Sequence, residues 1–181
     1  MFSVASPSGA DRAQLASQIV SSLATKNLKL IFAESLTGGD LSSAIVSIAG
    51  ASKVFLGSIV AYDTSVKLQL LSVDPSVLAK HGAASAQVAQ QMSEGAKLLA
   101  SAGESGESVV AVSTTGVAGP ETQDGVAVGT VFIGLVAFGF QEVQEFHFEG
   151  GRQSIREQTV DAALAMLQRQ LKHYAPAPSP S

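Results

Sequence analysis

The stretch Phe32-Ala33-Glu34-Ser35-Leu36-Thr37-Gly38-Gly39 decides how this chain builds its fold and presents its polar groups. An apolar run of strand length over 28–33 leads into it, and apolar residues recur at helical spacing after the two glycines. The stretch therefore predicts a buried strand that turns at Ser35 into a helix. Because the free N–H groups of a helix N-terminus stabilise anions, Ser35 is a candidate nucleophile. The alternative is a Ser/Thr-rich turn that caps an ordinary helix.

Composition narrows the class of protein. The 181 residues are 46% hydrophobic and 14% charged, which suits one folded domain with a real core. The net charge of −4 argues against a nucleic-acid partner, because binding a phosphate backbone needs clustered Lys and Arg. The chain has no cysteine, which excludes disulfides, thiolate metal sites and cysteine nucleophiles.

The sequence gives no sign of a membrane or export segment. No apolar stretch approaches the length of a membrane span. The N-terminus lacks the basic-then-apolar pattern of a secretory signal. We therefore expect a cytoplasmic protein that binds neither a membrane nor nucleic acid.

Helical and strand patterns alternate along the first two-thirds of the chain. Helices are predicted over 11–25 and 38–49, after 63, over 75–81, over 86–101 and over 152–172. Strands are predicted over 28–33, 54–62, 109–113, 130–138 and 143–148, the last two as a hairpin. This order predicts an α/β fold, a three-layer α/β/α sandwich with a mixed sheet. We expect a single domain over 11–173, a flexible arm over 1–10 and a disordered tail over 174–181.

Three polar segments follow predicted strands and are expected to meet at one edge of the sheet, namely 34–39, 62–67 and 115–120. Among their residues, Lys67 is the candidate base for Ser35. A lysine accepts a proton only when it is neutral, and burial lowers its pKa towards that state. Ser-Lys pairs are a known form of nucleophile and base. The alternative is a surface lysine on an amphipathic helix.

The three histidines are weaker candidates for the base. His81 lies at a predicted helix C-terminus, His147 alternates along a strand and His173 begins the tail. The sequence places none of them beside Ser35, so a Ser-His-Asp triad is not expected. Their scattered positions also lack metal-ligand spacing, and no metal is expected.

Two glycine-rich turns and a pair of arginines indicate an anionic ligand. The turns at 38–39 and 115–120 offer backbone N–H groups to an oxyanion or a single phosphate, although neither matches a Walker loop or a dinucleotide fingerprint. Arg152 and Arg156 lie one turn apart at the start of the last helix. Two cations at that end are unfavourable unless an anion binds between them. A solvated basic turn is the alternative.

Five motifs occur together in register along the chain. They are Glu34-Ser35-Leu36-Thr37-Gly38-Gly39, Tyr62 with Lys67, Thr115-Gly116-Val117-Ala118-Gly119-Pro120, Val128-Gly129-Thr130-Val131, and Gly151-Arg152 with Arg156. In their order and spacing, from about 11 to 171, the chain resembles the CinA C-terminal domain family, whose stand-alone bacterial members are nicotinamide mononucleotide deamidases. The resemblance implies an α/β/α sandwich that hydrolyses the carboxamide of nicotinamide mononucleotide to nicotinate mononucleotide and ammonia. It implies no metal or organic cofactor.

The resemblance also implies roles for individual residues. Ser35 is the expected nucleophile and Lys67 the expected base, with Tyr62 assisting the proton relay. Substrate contacts are expected from Thr37, Gly38, Gly39, Thr115, Gly116, Gly119, Arg152 and Arg156. The loop over 121–127 departs from the family pattern, because it lacks the usual Gly-Gly pair and proline beside the expected pocket.

A second interpretation is a catalytically silent nucleotide-binding module of the same fold. The sequence favours the amidohydrolase, because every polar residue that the chemistry needs is present. We expect a small nucleotide as the substrate and a homo-oligomer, with a symmetric dimer as the simplest form.

Overall fold

The structure is a computed structural model that describes residues 9–101 and 108–174. One sheet contains the strands β1 (Lys29–Glu34), β2 (Phe55–Val60), β3 (Val109–Gly116), β4 (Thr130–Ala137) and β5 (Phe140–His147). Their spatial order is β2-β1-β3-β4-β5. β1 pairs in parallel with both β2 and β3, whereas β4 pairs antiparallel with β3 and β5. The predicted mixed sheet is confirmed.

Helices cover both faces of this sheet. They are α1 (Gly9–Thr25), α2 (Asp40–Val46), α3 (Thr64–Gln69), α4 (Pro75–His81), α5 (Ala86–Ala100) and α6 (Arg152–His173). The buried residues of α1, α2 and α6 share one apolar cluster with one sheet face, and those of α5 share a second cluster with the other face. This arrangement confirms the α/β/α sandwich. Within the described ranges, no helix combines the length and the apolar character needed to cross a membrane.

The strands β1 and β3, in the middle of the sheet, are buried on both faces. Along β1, Leu30 and Phe32 belong to the first cluster, whereas Ile31 and Ala33 belong to the second. This alternation follows from the two-residue period of a strand. Strands covered on both faces are continuous apolar runs in sequence, which is why these two were recognisable.

Two strands are longer than predicted. β3 extends beyond Ser113 to Gly116, into the predicted glycine-rich turn, because Thr114, Thr115 and Gly116 pair with β4. β5 begins at Phe140 rather than at 143, directly after the turn at Gly139. In both places, pairing with β4 extends the strand past its apolar core.

Helix boundaries also differ from the predictions. α1 begins at Gly9, inside the predicted arm, and residues 1–8 lie outside the described residues. The helix predicted over 38–49 is the shorter α2, followed by a separate 3-10 turn at Ala51–Lys53. Tyr174, the first residue of the predicted tail, stacks on Phe138 with ring centroids 3.7 Å apart. The rest of that tail, 175–181, lies outside the described residues.

Helix α5 makes its closest backbone approach at Gly95. A Cβ added there would lie 2.0 Å from the carbonyl oxygen of Leu71. Because a backbone atom cannot swing away, we expect Gly95→Ala to lower the free energy of unfolding by about 1–3 kcal/mol, despite the better helix propensity of alanine. Urea denaturation measures the change. The matched control is Leu98→Ala on the same helix, where the side chain is 70% exposed and we expect a change within about 0.5 kcal/mol. Equal stability of the two variants would contradict the packing argument.

Candidate active site

A pocket opens at the carboxyl ends of β1 and β3, where the three polar segments meet. Ser35 follows β1 directly, and its backbone N–H donates to the carbonyl oxygen of Thr114 at 2.9 Å, which ties the turn to β3. The predicted site residues that line this pocket are Ser35, Tyr62, Lys67, Thr115, Gly116, Gly119 and Arg152. The structure thus gathers both predicted catalytic partners at one place, and their catalytic roles stay predictions.

Lys67 contacts Ser35 within the pocket. Its Nζ lies 3.1 Å from Ser35 Oγ, and the side chain is 1% exposed. The same Nζ donates to the carbonyl oxygens of Ala61 at 2.6 Å and of Tyr62 at 3.4 Å, just after β2. Asp63 starts α3 by accepting the N–H of Ser65, and this cap fixes the turn of helix that carries the lysine.

Burial sets the protonation of this lysine. Desolvation lowers the pKa of Lys67 from 10.5 to about 8, against a smaller opposite effect of the Asp63 charge. Within the described residues, no carboxylate forms an ion pair with Nζ. The neutral form, which can accept a proton from Ser35, is therefore accessible near physiological pH.

Arg152 spans the mouth of the pocket. It is the first residue of α6, and its guanidinium donates to Tyr62 Oη at 2.6 Å and to the carbonyl oxygen of Gly119 at 2.7 Å. The Tyr62 side chain is 59% exposed, and Lys67 contacts the backbone carbonyl of Tyr62 rather than its hydroxyl. The tyrosine hydroxyl is thus tied to Arg152, and its part in a proton relay stays a prediction.

The carboxylate of Glu34, the last residue of β1, lies at the N-terminal end of α2. The side chain is 0% exposed. It accepts hydrogen bonds from the backbone N–H groups of Gly39, Leu41 and Ser42 and from the hydroxyls of Ser42 and Ser58. The helix end that the sequence offered to an oxyanion is therefore already neutralised inside the protein.

The two glycines shape this turn rather than line the pocket. Gly38 and Gly39 have φ values of +61° and +104°, a left-handed conformation that glycine adopts without a steric penalty. The N–H of Gly38 donates to the carbonyl oxygen of Ser35 at 3.1 Å, and that of Gly39 donates to Glu34 at 2.9 Å. Both amides are used within the turn, so the structure does not place them for substrate contact.

Thr37 and Arg156 stabilise the same turn through hydrogen bonds. Thr37 is 0% exposed and shares a 2.8 Å hydrogen bond with the Thr114 hydroxyl. Arg156 donates to the carbonyl oxygens of Leu36 and Thr37 and forms a 2.6 Å ion pair with Asp40. Neither residue lines the pocket, so the structure separates Arg156 from Arg152 in place and in partners.

Some pocket residues are not among the predicted catalytic and substrate-binding residues. Glu121 and Gln123 line it from the loop that departs from the family pattern, and that departure was the only sequence signal for them. Leu36 also lines it, and among the described residues its backbone N–H donates to no protein acceptor. The amide that follows a nucleophile is a usual donor to an oxyanion. Thr115, in contrast, turns its hydroxyl to the carbonyl oxygen of Ala83 at 2.8 Å.

Metal-binding clusters and histidines do not contribute to the pocket. In the part of the chain that the structure describes, no three His, Cys, Asp or Glu side chains lie close enough together to hold a metal ion. The three histidines all fall within the described residues, and none of them lines this pocket. Among the basic side chains that the structure describes, Lys67 is the one that hydrogen-bonds to Ser35.

Comparison with known proteins places the chain in a family. Residues 12–171 match the family model for the CinA C-terminal domain. A CinA-like protein of Syntrophomonas wolfei is 39% identical over 167 residues, which are 91% of this chain and 38% of that protein. The chain spans 38% of the length of the curated relatives that head the comparison.

Solved structures of similar proteins align with this chain over nearly their whole length. A CinA superfamily protein of Escherichia coli superposes with a TM-score of 0.84 at 29% identity, over 93% of this chain and 95% of that one. A competence/damage inducible protein of Agrobacterium tumefaciens gives 0.81 at 33% identity, over 94% and 100%. The chain therefore belongs to the CinA C-terminal domain family.

Proposed function

We propose that this chain is an amidohydrolase that converts the carboxamide of nicotinamide mononucleotide into a carboxylate, giving nicotinate mononucleotide and ammonia. The observation that carries the proposal is the 3.1 Å contact between the buried Lys67 Nζ and Ser35 Oγ. This pair supports amide hydrolysis, and the sequence resemblance supports the nicotinamide nucleotide as the substrate.

The first half of the proposed reaction forms an acyl-enzyme. Ser35 Oγ attacks the carboxamide carbon while neutral Lys67 takes the hydroxyl proton. The C=O electron pair moves onto oxygen and gives a tetrahedral oxyanion. When this intermediate collapses, the C–N bond breaks and Lys67 returns the proton to the leaving nitrogen, which departs as ammonia. The nicotinoyl group is left as an ester on Ser35.

The second half releases the acid. A water molecule attacks the ester carbon and gives a proton to Lys67. The bond from the acyl carbon to Ser35 Oγ then breaks, and the proton returns to Oγ. The carboxylic acid loses its own proton to solvent, so that one water is consumed for each amide cleaved. One lysine thus serves as base and acid in both halves.

The oxyanion needs a donor that the fold leaves free. The amides of Gly38 and Gly39 are occupied, whereas Leu36 is a pocket residue whose backbone N–H has no protein acceptor among the described residues. We assign the oxyanion contact to Leu36. A single donor of this kind contributes about 2.7–4 kcal/mol to transition-state stabilisation in other hydrolases.

The direct test of the proposal is ammonia release from nicotinamide mononucleotide by the purified protein. We expect Ser35→Ala to abolish release while nucleotide binding persists, because one hydroxyl on a turn contributes little packing. Lys67→Arg should lose about as much activity as Lys67→Ala, at least roughly a hundredfold, because arginine keeps its proton.

The pH profile gives a second readout of the same test. Because the pKa of Lys67 is lowered to about 8, the proton-accepting form grows as the pH rises through that value, and kcat/KM should rise with it. A flat profile with an active Lys67→Arg variant would contradict the base. Nucleotide binding without any ammonia release would indicate a silent binding module.

Arg152 is the proposed receptor for the 5′-phosphate. It uses two of its five N–H donors on Tyr62 and Gly119, which leaves others for an anion at the pocket mouth. We expect Arg152→Ala to lower kcat/KM for the nucleotide by about ten- to a hundredfold, the effect of losing a charge-assisted hydrogen bond of about 1.5–3 kcal/mol. The loss for the riboside without phosphate should be much smaller.

The comparison uses a four-way cycle, with the parent and Arg152→Ala each assayed on the nucleotide and the riboside. Arg169→Ala is the matched control, because Arg169 lies on the same helix and pairs with Glu142 away from the pocket. If Arg152→Ala lowers kcat/KM for both substrates by one factor, Arg152 does not bind the phosphate.

A further inference from the structure

We infer that Glu34 is a positioning residue for the nucleophile: its buried carboxylate holds the turn over 35–39 closed and so keeps Ser35 Oγ beside Lys67 Nζ. The inference rests on the proposed function, in which Ser35 attacks the amide. Glu34 itself does not line the pocket and does not touch the reacting atoms.

The first step of the argument is the reach of this side chain. Glu34 ends β1, so it immediately precedes Ser35, yet its carboxylate binds N–H groups on the far side of the turn, at Gly39, Leu41 and Ser42. The backbone on both sides of the nucleophile is therefore joined through one carboxylate. Ser58 adds a fourth anchor from β2, at 3.0 Å.

The second step is that, within the described residues, no other side chain caps the start of α2. Its N-cap residue is Gly39, which has no side chain to accept the first N–H groups. Orphan N–H groups at a helix start are ordinarily satisfied by a neighbouring Ser, Thr, Asp or Asn side chain. Glu34 does this from across the turn, so the start of the helix depends on a residue adjacent to the nucleophile.

The third step concerns charge. A carboxylate that is 0% exposed is costly unless hydrogen bonds compensate it. In the described residues no Lys, Arg or His side chain bonds to Glu34, so its compensation comes from the donors of the turn, Ser58 and the positive end of α2. Several hydrogen bonds of 2.9–3.1 Å to one carboxylate restrict the positions that the turn can adopt.

The last step links the turn to the base. The backbone carbonyl oxygen of Glu34 accepts the N–H of Ala61 at 2.8 Å, and the carbonyl oxygen of Ala61 accepts Lys67 Nζ at 2.6 Å. Glu34 is thus bonded to the segment that holds the base and, through its side chain, to the turn that holds the nucleophile. A displacement of about 1 Å between reacting groups lowers a rate by about a hundredfold.

The test compares Glu34→Gln with the parent. Glutamine keeps the size of the side chain but replaces one acceptor oxygen with a donating NH₂, which cannot accept an N–H. We expect kcat for nicotinamide mononucleotide to fall at least about tenfold with KM within about twofold, because the nucleophile is misplaced while the binding groups remain. The rate at which a fluorophosphonate labels Ser35, followed by mass spectrometry, should fall by a similar factor.

The matched control is Asp161→Asn. Asp161 is also a buried carboxylate, 5% exposed, but it pairs with Arg12 between α1 and α6, away from the pocket. We expect this variant to lower the melting temperature while Ser35 is labelled at the parent rate. If loss of stability alone slowed labelling, both variants would be labelled more slowly than the parent. Slower labelling of Glu34→Gln alone therefore indicates a misplaced Ser35 rather than a less stable fold.

Labelling needs no amide substrate, which separates the two proposals. If the parent is labelled at Ser35 but releases no ammonia, the proposed function fails and the comparison at Glu34 still decides the inference. Parent-rate labelling of Glu34→Gln, equal slowing in Asp161→Asn, or no labelling of the parent would overturn it. Should Glu34→Gln not fold, Ser58→Ala removes one donor, and we expect labelling about two- to fivefold slower. Labelling of Ser35 at the parent rate in Ser58→Ala would also overturn the inference.

Discussion

The burial of Lys67 beside Ser35 is the constraint on which the rest of the site depends. The side chain is 1% exposed, and its Nζ lies within hydrogen-bond distance of one hydroxyl and two carbonyl oxygens, with no ion-pairing carboxylate among the described residues. Burial of this kind disfavours the ammonium and favours the amine. The fold therefore holds an amine whose charged form is disfavoured next to a hydroxyl, which is what the proposed base requires.

The surrounding fold can be understood as the support for that pair. The sheet fixes Ser35 through β1 and its bond to β3, and the chain after β2 supplies the carbonyl oxygens that hold Nζ. The side chains of Glu34 and Arg156 then hydrogen-bond to the backbone of the turn over 35–39. The geometry of the proposed catalytic pair therefore depends on the ends of three strands rather than on any one loop.

Sequence reasoning could predict the parts that local pattern governs. The central strands were recognisable because both of their faces are buried, so that they form continuous apolar runs in the sequence. Since strand ends collect at one edge of such a sheet, the meeting of Ser35 and Lys67 was also within reach.

Long-range contacts explain what the sequence could not predict. Thr114, Thr115 and Gly116 have the composition of a turn, yet pairing with β4 draws them into β3. The spacing of Arg152 and Arg156 predicted that they bind an anion together. In the structure, Arg156 instead donates to two backbone carbonyl oxygens of the turn over 35–39 and forms an ion pair with Asp40. No periodicity encodes such partners, because they come from distant elements.

The most direct test of the central claim is the titration of Lys67 by NMR, with ¹³C-labelled lysine and the resonance assigned by its loss in Lys67→Arg. We expect a pKa of about 8 for this amine in the folded protein. A titration near the ordinary value of 10.5 would mean that Lys67 stays charged at working pH, and it would contradict the proposed role of Lys67 as the base.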